Sequence, residues 1–169
     1  MSKFKIVGMM VLIAFAMGIF LVGDAVAGER GKVAGRQVYY ITTIQTLKVP
    51  DVEGHAVSLI EAKGIFSSEK WGAALLYQIT TVDFIKGAGT YQAYTQTTYP
   101  DGSTTTSKSE GKSKGSGAGV TGMASGESTW TYIKGTGKFQ GIQGGGTSKT
   151  YNLGPGQFYN DMEGEYTLP

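Results

Sequence analysis

The stretch that decides the fold is TYQAYTQTTYPDGSTTTSKSEGK, residues 90–112. Two runs rich in Thr, Tyr and Ser flank the turn Pro100-Asp101-Gly102-Ser103. Proline presets the backbone angle at the start of such a turn, and glycine accepts a positive φ without steric cost. The stretch therefore predicts a hairpin of two antiparallel strands, at about 90–99 and 103–112.

The same alternation of strand-like runs and turn residues continues in both directions along the chain. Runs rich in Tyr, Thr, Val and Ile are separated by short segments rich in glycine, proline and aspartate. Most of these links are short enough to join sequential antiparallel neighbours. The eight predicted strands lie at about 37–49, 55–66, 73–85, 90–99, 103–112, 121–133, 144–153 and 159–168.

This pattern favours a closed sheet. No helical segment is long enough for the crossovers of a parallel sheet, so the runs predict an antiparallel meander. Closing eight such strands removes both exposed sheet edges. We therefore predict an all-β domain, a single eight-stranded antiparallel β-barrel, with a β-sandwich of similar strand count as the alternative. A barrel of this size holds either packed side chains or one small ligand.

The first 27 residues have the plan of a secretory signal peptide. Lys3 and Lys5 precede an apolar run over residues 6–22, and the small-residue triplet Ala25-Val26-Ala27 follows. We predict cleavage before Gly28 and a secreted protein, periplasmic or extracellular, with no stable membrane insertion after cleavage. An uncleaved membrane anchor is the alternative, because the apolar run approaches the length that spans a bilayer.

Removal of residues 1–27 leaves a chain of ordinary single-domain size. We predict a flexible N-terminal segment at 28–36 and the barrel domain at 37–169. Without Lys3, Lys5 and Asp24, the chain has 13 Lys and Arg and 12 Asp and Glu, so its net charge is close to zero. A charge this small gives no indication of nucleic-acid binding. The chain has no cysteine, which excludes disulfides and thiolate chemistry.

Alternation of residue types predicts which face of a strand points inward. In the last strand Asp161, Glu163 and Glu165 alternate with apolar and small residues, which places the acids outside and Tyr166 inside. In the sixth strand the same argument places Trp130 inside. Strands three and four mix apolar and hydroxyl residues on both faces, so alternation does not decide their facing.

The stretch Ser103–Gly119 is rich in Ser, Thr, Lys and Gly and almost without apolar residues. It offers nothing that could anchor a core, so we predict an exposed hairpin arm with a mobile tip at 112–119. A structural or interaction role that uses this arm as a contact surface is one functional hypothesis.

The reactive side chains exclude more mechanisms than they propose. His55 is the only histidine, so multi-histidine metal sites are excluded, and we predict neither a metal nor a cofactor. Two residues, His55 and Glu61, are candidates for catalysis. The alternative for His55 is a histidine near a turn that is hydrogen-bonded to the backbone. The alternative for Glu61 is an outward acid that pairs with Lys63 or with another strand.

An aromatic set suggests a binding site instead. Rings in a barrel can pack an apolar ligand while their hydroxyls orient it, although an ordinary packed barrel core is the alternative. This predicts a small hydrophobic or amphipathic ligand inside the barrel. The candidate ligand-binding residues are Tyr77, Tyr94, Trp130 and Tyr166.

The segment IKGTGKFQGIQGGGT, residues 133–147, resembles the G-T-G-x-F-x-G-I-x-G-x-G signature of allene oxide cyclase-like barrels. In looser form it is similar to a motif of plant dirigent proteins, and the ending GEYTLP, residues 164–169, resembles that of uncharacterised secreted bacterial members. The resemblance covers about residues 37–169. It implies an eight-stranded calycin-type barrel in which the motif is a tight turn and Phe139 plugs one end.

The resemblance also implies a functional alternative. Plant members cyclise or orient reactive hydrophobic intermediates, which would make this chain a cofactor-free cyclase or isomerase. No interior polar residue of those proteins aligns with a position here, so none is carried over. The same interpretation leaves room for a homo-oligomer.

Overall fold

The eight strands form a closed antiparallel barrel in the computed structural model, which describes residues 28–115 and 123–169. Each strand pairs with its neighbours in sequence, and β1 pairs with β8 to close the sheet. This confirms the predicted all-β barrel and excludes the sandwich. The strands are β1 (Arg30–Lys48), β2 (His55–Ser68), β3 (Gly72–Ile85), β4 (Ala88–Thr98), β5 (Thr104–Gly115), β6 (Met123–Gly135), β7 (Gln143–Gly154) and β8 (Gln157–Thr167).

Two predicted features fall wholly or partly outside the described residues. These are the signal peptide, residues 1–27, and most of the tip predicted at 112–119. Between residues 28 and 115 and from 123 onward, no helix has the length and apolar character needed to cross a bilayer.

Most of the segment 28–36, predicted to be flexible, instead forms the first part of β1, which begins at Arg30. Val33 points into the barrel and is 1% exposed. On the outer face, Arg36 Nε and Nη2 donate to the two carboxylate oxygens of Asp161 in β8, at 2.7 and 2.9 Å. The prediction was wrong because pairing with β8, which the sequence does not display, holds this glycine-rich and charged segment extended.

The stretch predicted to be an exposed arm is a full strand of the wall. β5 pairs with β4 on one side and with β6 on the other. Ser103, Thr105 and Ser113 are buried although none is apolar. The prediction was wrong because this barrel lines part of its interior with hydroxyl groups, and backbone pairing on both sides holds the strand without apolar anchors.

An aromatic plug closes one end of the barrel. Phe139 ends a 3-10 turn, Gly137–Phe139, and is 1% exposed. Its ring centroid lies 5.1 Å from that of Trp71, in the edge-to-face arrangement that aromatic pairs favour, and 4.5 Å from that of Tyr99, whose ring is tilted against it. A Cβ at Gly135 would collide with the Phe139 carbonyl oxygen, so the turn requires glycine there. The plug implied by the resemblance is therefore confirmed.

A second apolar cluster lies toward the other end of the barrel, where β2 begins and β3 ends. Its buried members are Ile60, Val82 and Phe84, with Ile41, Ile44 and Tyr91 packed against them. The residues around Phe139, here called the plug cluster, include Trp71, Tyr99, Ile142 and Tyr166. The plug cluster and the second cluster leave the middle of the barrel less completely filled, and the candidate site lies there.

Candidate ligand-binding site

A cavity of about 80 Å³ lies inside the barrel between the two clusters. All eight strands contribute inward side chains to its wall. Since water occupies about 30 Å³ per molecule in the liquid, the space matches two or three waters or a ligand of a few heavy atoms. Its apolar lining includes Ile41, Ile60, Val82, Phe84, Trp130 and Met162, and its polar lining includes Gln78, Thr80, Tyr91, Ser109, Ser148 and Asn160.

Most polar groups around the cavity satisfy one another. Gln78 Nε2 donates to Thr80 Oγ1 at 2.7 Å, and Thr95 Oγ1 donates to Gln78 Oε1 at 3.2 Å. The hydroxyl oxygens of Ser128 and Ser148 lie 2.8 Å apart and share a hydrogen bond. These pairs make a polar layer that costs little to bury, because its donors and acceptors are paired.

Two polar atoms in the cavity wall have no such partner. Tyr91 Oη and Asn160 Oδ1 are buried, and neither finds a hydrogen-bond partner among the described residues. Leaving a buried polar atom unpaired costs about 1–3 kcal/mol, so such atoms need an explanation. Both can accept a hydrogen bond, and Tyr91 can also donate one. A guest molecule in the cavity would satisfy them.

The cavity wall is uncharged. No Asp, Glu, Lys, Arg or His is among the residues that line it in the described part of the chain. Burial raises the pKa of Tyr99 and of Tyr132, which lie toward the plugged end, so these phenols stay neutral. A charged guest would lose its hydration without gaining a counter-ion, which is costly. The loss of hydration costs much less for a neutral guest.

Two of the four predicted ligand-binding residues are buried in the barrel, but at different levels. Trp130 lines the cavity, and its Nε1 donates to the Thr147 carbonyl at 3.1 Å. Its predicted inward facing is confirmed. Tyr166 also faces inward but packs in the plug cluster, where its hydroxyl donates to Glu29. The structure therefore does not bring these two residues into one site.

The other two predicted residues lie on the outer wall of the barrel. Tyr77 and Tyr94 are 37% and 44% exposed, and neither lines the cavity. In β3 the alternation puts Leu76 and Gln78 inside, which directs Tyr77 outward. The prediction that these tyrosines line the interior is wrong, because both faces of β3 and β4 carry apolar residues and the pattern gave no direction.

The two candidates for catalysis also lie away from the cavity. His55 stands at the start of β2, with Nδ1 2.6 Å from Asp51 Oδ1 and Nε2 2.8 Å from Asp83 Oδ1. Glu61 is on the outer wall, as its alternation predicts, and accepts a hydrogen bond from Tyr77 Oη at 3.3 Å. No group of three metal-ligating side chains occurs within the described ranges.

The polar cavity residues were missed because polar side chains were assigned to the outer face. The sequence does carry a usable clue. Ser128 lies two residues before Trp130, and Asn160 lies two residues before Met162, so each shares a face with an inward residue. Extending the alternation to polar positions would have placed both inside.

The comparisons with known proteins concern the fold. No protein-family model matches the chain, and no curated protein sequence does either. The solved pterocarpan synthase dirigent protein GePTS1 has a TM-score of 0.52 and 12% identity, covering 94% of this chain and 99% of that one. Pterocarpan synthase dirigent protein PsPTS1 has a TM-score of 0.52 and 11% identity, covering 84% and 97%.

At these identities the likeness is one of architecture, because a shared fold does not carry residue roles with it. It agrees with the resemblance of residues 133–147 to a motif of dirigent proteins. The resemblance to allene oxide cyclase-like barrels stays a prediction. The chain is an eight-stranded antiparallel β-barrel whose fold is similar to that of these two dirigent proteins.

Proposed function

We propose that this barrel is a non-catalytic binding protein that holds one small, uncharged, amphipathic molecule in its interior. The observation that carries the proposal is the pair of unpartnered buried atoms, Tyr91 Oη and Asn160 Oδ1, in the wall of one cavity. The surrounding apolar side chains suit the hydrocarbon part of such a molecule, and the two atoms suit its hydroxyl or amide group.

The size of the cavity limits the ligand. Sites for drug-sized molecules have volumes of about 300–1,000 Å³, whereas this cavity has about 80 Å³. A drug-sized ligand therefore does not fit the interior as it stands. The proposal is restricted to molecules of a few heavy atoms.

The uncharged wall is the reason for proposing binding rather than catalysis. Acid-base chemistry needs a group that exchanges protons near neutral pH within hydrogen-bond reach of the substrate. His55 and Glu61 do not line the cavity. A cyclase or isomerase is the alternative that the likeness to pterocarpan synthase dirigent proteins suggests, and it would have to act through Tyr91 and Asn160.

The test uses the fluorescence of Trp130, which lines the cavity. We expect neutral alcohols from methanol to benzyl alcohol to change the emission in a saturable way, with the best fit at intermediate size. Butyrate and butylammonium, which are charged and similar in size to butanol, should not bind. Trp71 lies at the plugged end and contributes a background that does not respond to the ligand.

Matched variants locate the site. Ala93 lines the cavity and is 2% exposed, so Ala93→Leu should fill the space and abolish the response. Ala73→Leu, on the exposed outer face of β3, should leave it unchanged. If Ala93→Leu folds poorly by circular dichroism, Ser109→Val provides a second filling variant. Saturable binding that survives cavity filling, or no binding of any alcohol, would refute the proposal.

A further inference from the structure

Three inward residues of neighbouring strands form a row across one side of the cavity wall, here called the polar row. Gly126 in β6 pairs with Thr150 in β7, and Thr150 pairs with Asn160 in β8. Thr150 and Asn160 line the cavity. Directly opposite residues have Cβ positions about 5 Å apart, so the row is about 10 Å long from Gly126 to Asn160.

The Tyr91 hydroxyl reaches the Gly126 end of the polar row from β4. The tyrosine ring lies against glycines of the two strands between. A Cβ at Gly111 would stand 2.6 Å from Tyr91 Cζ, and a Cβ at Gly126 would stand 3.3 Å from Tyr91 Oη. Glycine at these positions leaves room for the ring to lie against the backbone. Tyr91 Oη and Asn160 Oδ1, the two buried atoms without partners, therefore belong to opposite ends of one row.

Thr150 lies between these two atoms. It is 5% exposed, and no hydrogen bond joins its hydroxyl to another described residue. The polar row thus presents a phenol, an aliphatic hydroxyl and an amide oxygen to the cavity. Tyr91 and Thr150 can donate or accept a hydrogen bond, whereas Asn160 Oδ1 can only accept one.

One hydroxyl group of a guest covers only part of this row. Hydrogen bonds between oxygen atoms are about 2.8 Å long, so an oxygen that bonds two partners joins atoms at most about 5.6 Å apart. The polar row is longer than this at the level of its Cβ positions. A second hydroxyl on the neighbouring carbon extends the reach along the row.

We propose that the preferred guest of the barrel is a small vicinal diol, with one oxygen bonded toward Tyr91 and Thr150 and the other toward Asn160. This inference rests on the proposed function and narrows the class of ligand. The cavity of about 80 Å³ limits the diol to a few heavy atoms, as in 1,2-ethanediol or 1,2-propanediol. Its carbon atoms face Ile60 and Val82, which line the cavity from β2 and β3, across the barrel from β7.

A matched pair of compounds separates this preference from simple apolar burial. 1,2-Ethanediol and 1-propanol are similar in size and differ by the exchange of a methyl group for a hydroxyl group. Burial of apolar surface alone favours 1-propanol, because the diol has less apolar surface and loses more hydration. Tighter binding of the diol therefore reports hydrogen bonds to the polar row.

The experiment measures the dissociation constants of both compounds through the emission of Trp130. We expect 1,2-ethanediol to bind about tenfold more tightly than 1-propanol, as for one hydrogen bond gained by an otherwise unpaired buried group. Thr150→Val removes the middle hydroxyl and keeps the branched shape, so the ratio of the two constants should fall to about one. Thr147→Val, on the exposed side of the same strand, should leave the ratio unchanged.

Two further variants separate hydrogen bonding from packing. Thr150→Ser keeps the hydroxyl and should keep most of the preference for the diol. If Thr150→Val is unfolded by circular dichroism, Gly126→Ala replaces it, because the added methyl group crowds the Tyr91 hydroxyl and should also lower the ratio.

The outcomes distinguish this inference from the proposed function. Saturable binding of 1-propanol without a preference for the diol, or a preference that survives Thr150→Val, would overturn the inference and leave the proposed function standing. No saturable binding of either compound would overturn both, since the cavity would then hold water alone.

Discussion

His55 Nε2 lies 2.8 Å from Asp83 Oδ1, which ties the start of β2 to the end of β3 at the rim opposite the plug. The other ring nitrogen, Nδ1, lies 2.6 Å from Asp51 in the β1–β2 turn. Only the protonated ring can donate from both nitrogens at once. The hydrogen bonds to Asp83 and then to Asp51 accordingly raise the pKa of His55 above its usual value.

The first prediction concerns pH. Because the pKa of His55 is higher in the folded state than in the unfolded state, its stabilisation is fully present below about pH 6.5 and is lost as pH rises through the folded pKa. The melting temperature of the wild type should therefore exceed that of His55→Gln at pH 6, by a margin that shrinks as the pH rises through the folded pKa of His55. Thermal unfolding followed by circular dichroism measures this margin.

The control for this experiment is Asp83→Asn, which removes one of the two negative charges that face the His55 ring and should reduce the same pH dependence. The lowered pKa of Asp51 does not interfere, because that carboxyl titrates only in acid. Parallel melting curves for wild type and His55→Gln across the range would show that the bridge contributes nothing to stability.

The second prediction concerns Tyr91. Its hydroxyl is buried without a partner among the described residues, so Tyr91→Phe should leave the free energy of unfolding unchanged or raise it by about 1 kcal/mol. The same change should weaken binding of a neutral alcohol. Denaturant unfolding and the Trp130 titration measure the two effects, and Tyr94→Phe on the outer wall is the control. A destabilised variant with unaltered binding would contradict the assignment.

The third prediction concerns the plug. Phe139→Ala should lower the free energy of unfolding by about 3–5 kcal/mol, because it removes a fully buried ring and leaves a cavity that its neighbours cannot fill. Ile142→Val, in the same cluster, should cost only about 0.5–1.5 kcal/mol. Urea unfolding gives both values. Equal losses in the two variants would mean that Phe139 does not organise this end.

The fourth prediction concerns export. We expect the secreted protein to begin at Gly28, as measured by intact mass. Ala27→Phe should block processing, because signal peptidase rejects bulk at that position, whereas Val26→Phe should be processed normally. Full-length protein retained in the membrane fraction of the wild type would indicate an uncleaved anchor instead.

The sequence allowed the barrel and the facing of two strands to be predicted because those strands separate their residue types cleanly. In β8 the acids alternate with Met162 and Tyr166, and the structure has Tyr166 buried. In β3 Leu75, Tyr77 and Ile79 share the outer face, so apolar residues appear on both sides. Asp83 lies on the same face of β3 as Tyr77. As the only charged residue of that strand, it could have shown that this face points outward.

The candidate site was less predictable than the fold for a related reason. Its defining atoms belong to Tyr91 and Asn160, which come from β4 and β8 and line one cavity only because the sheet closes. Alternation along a single strand gives the side of the wall on which a residue lies, but not its height in the barrel. Trp130 and Tyr166 illustrate this, since both face inward yet belong to different layers.

The pairing of β1 with β8 has a consequence for how the chain folds. Every other pairing joins strands that follow one another in sequence, whereas this one brings together residues such as Arg36 and Asp161, 125 positions apart. Loop-closure entropy makes so distant a contact slow to form. Until it forms, the meander presents two unpaired strand edges that can template pairing between molecules. We therefore expect closure of this seam to limit the folding rate and the period during which the chain is prone to aggregate.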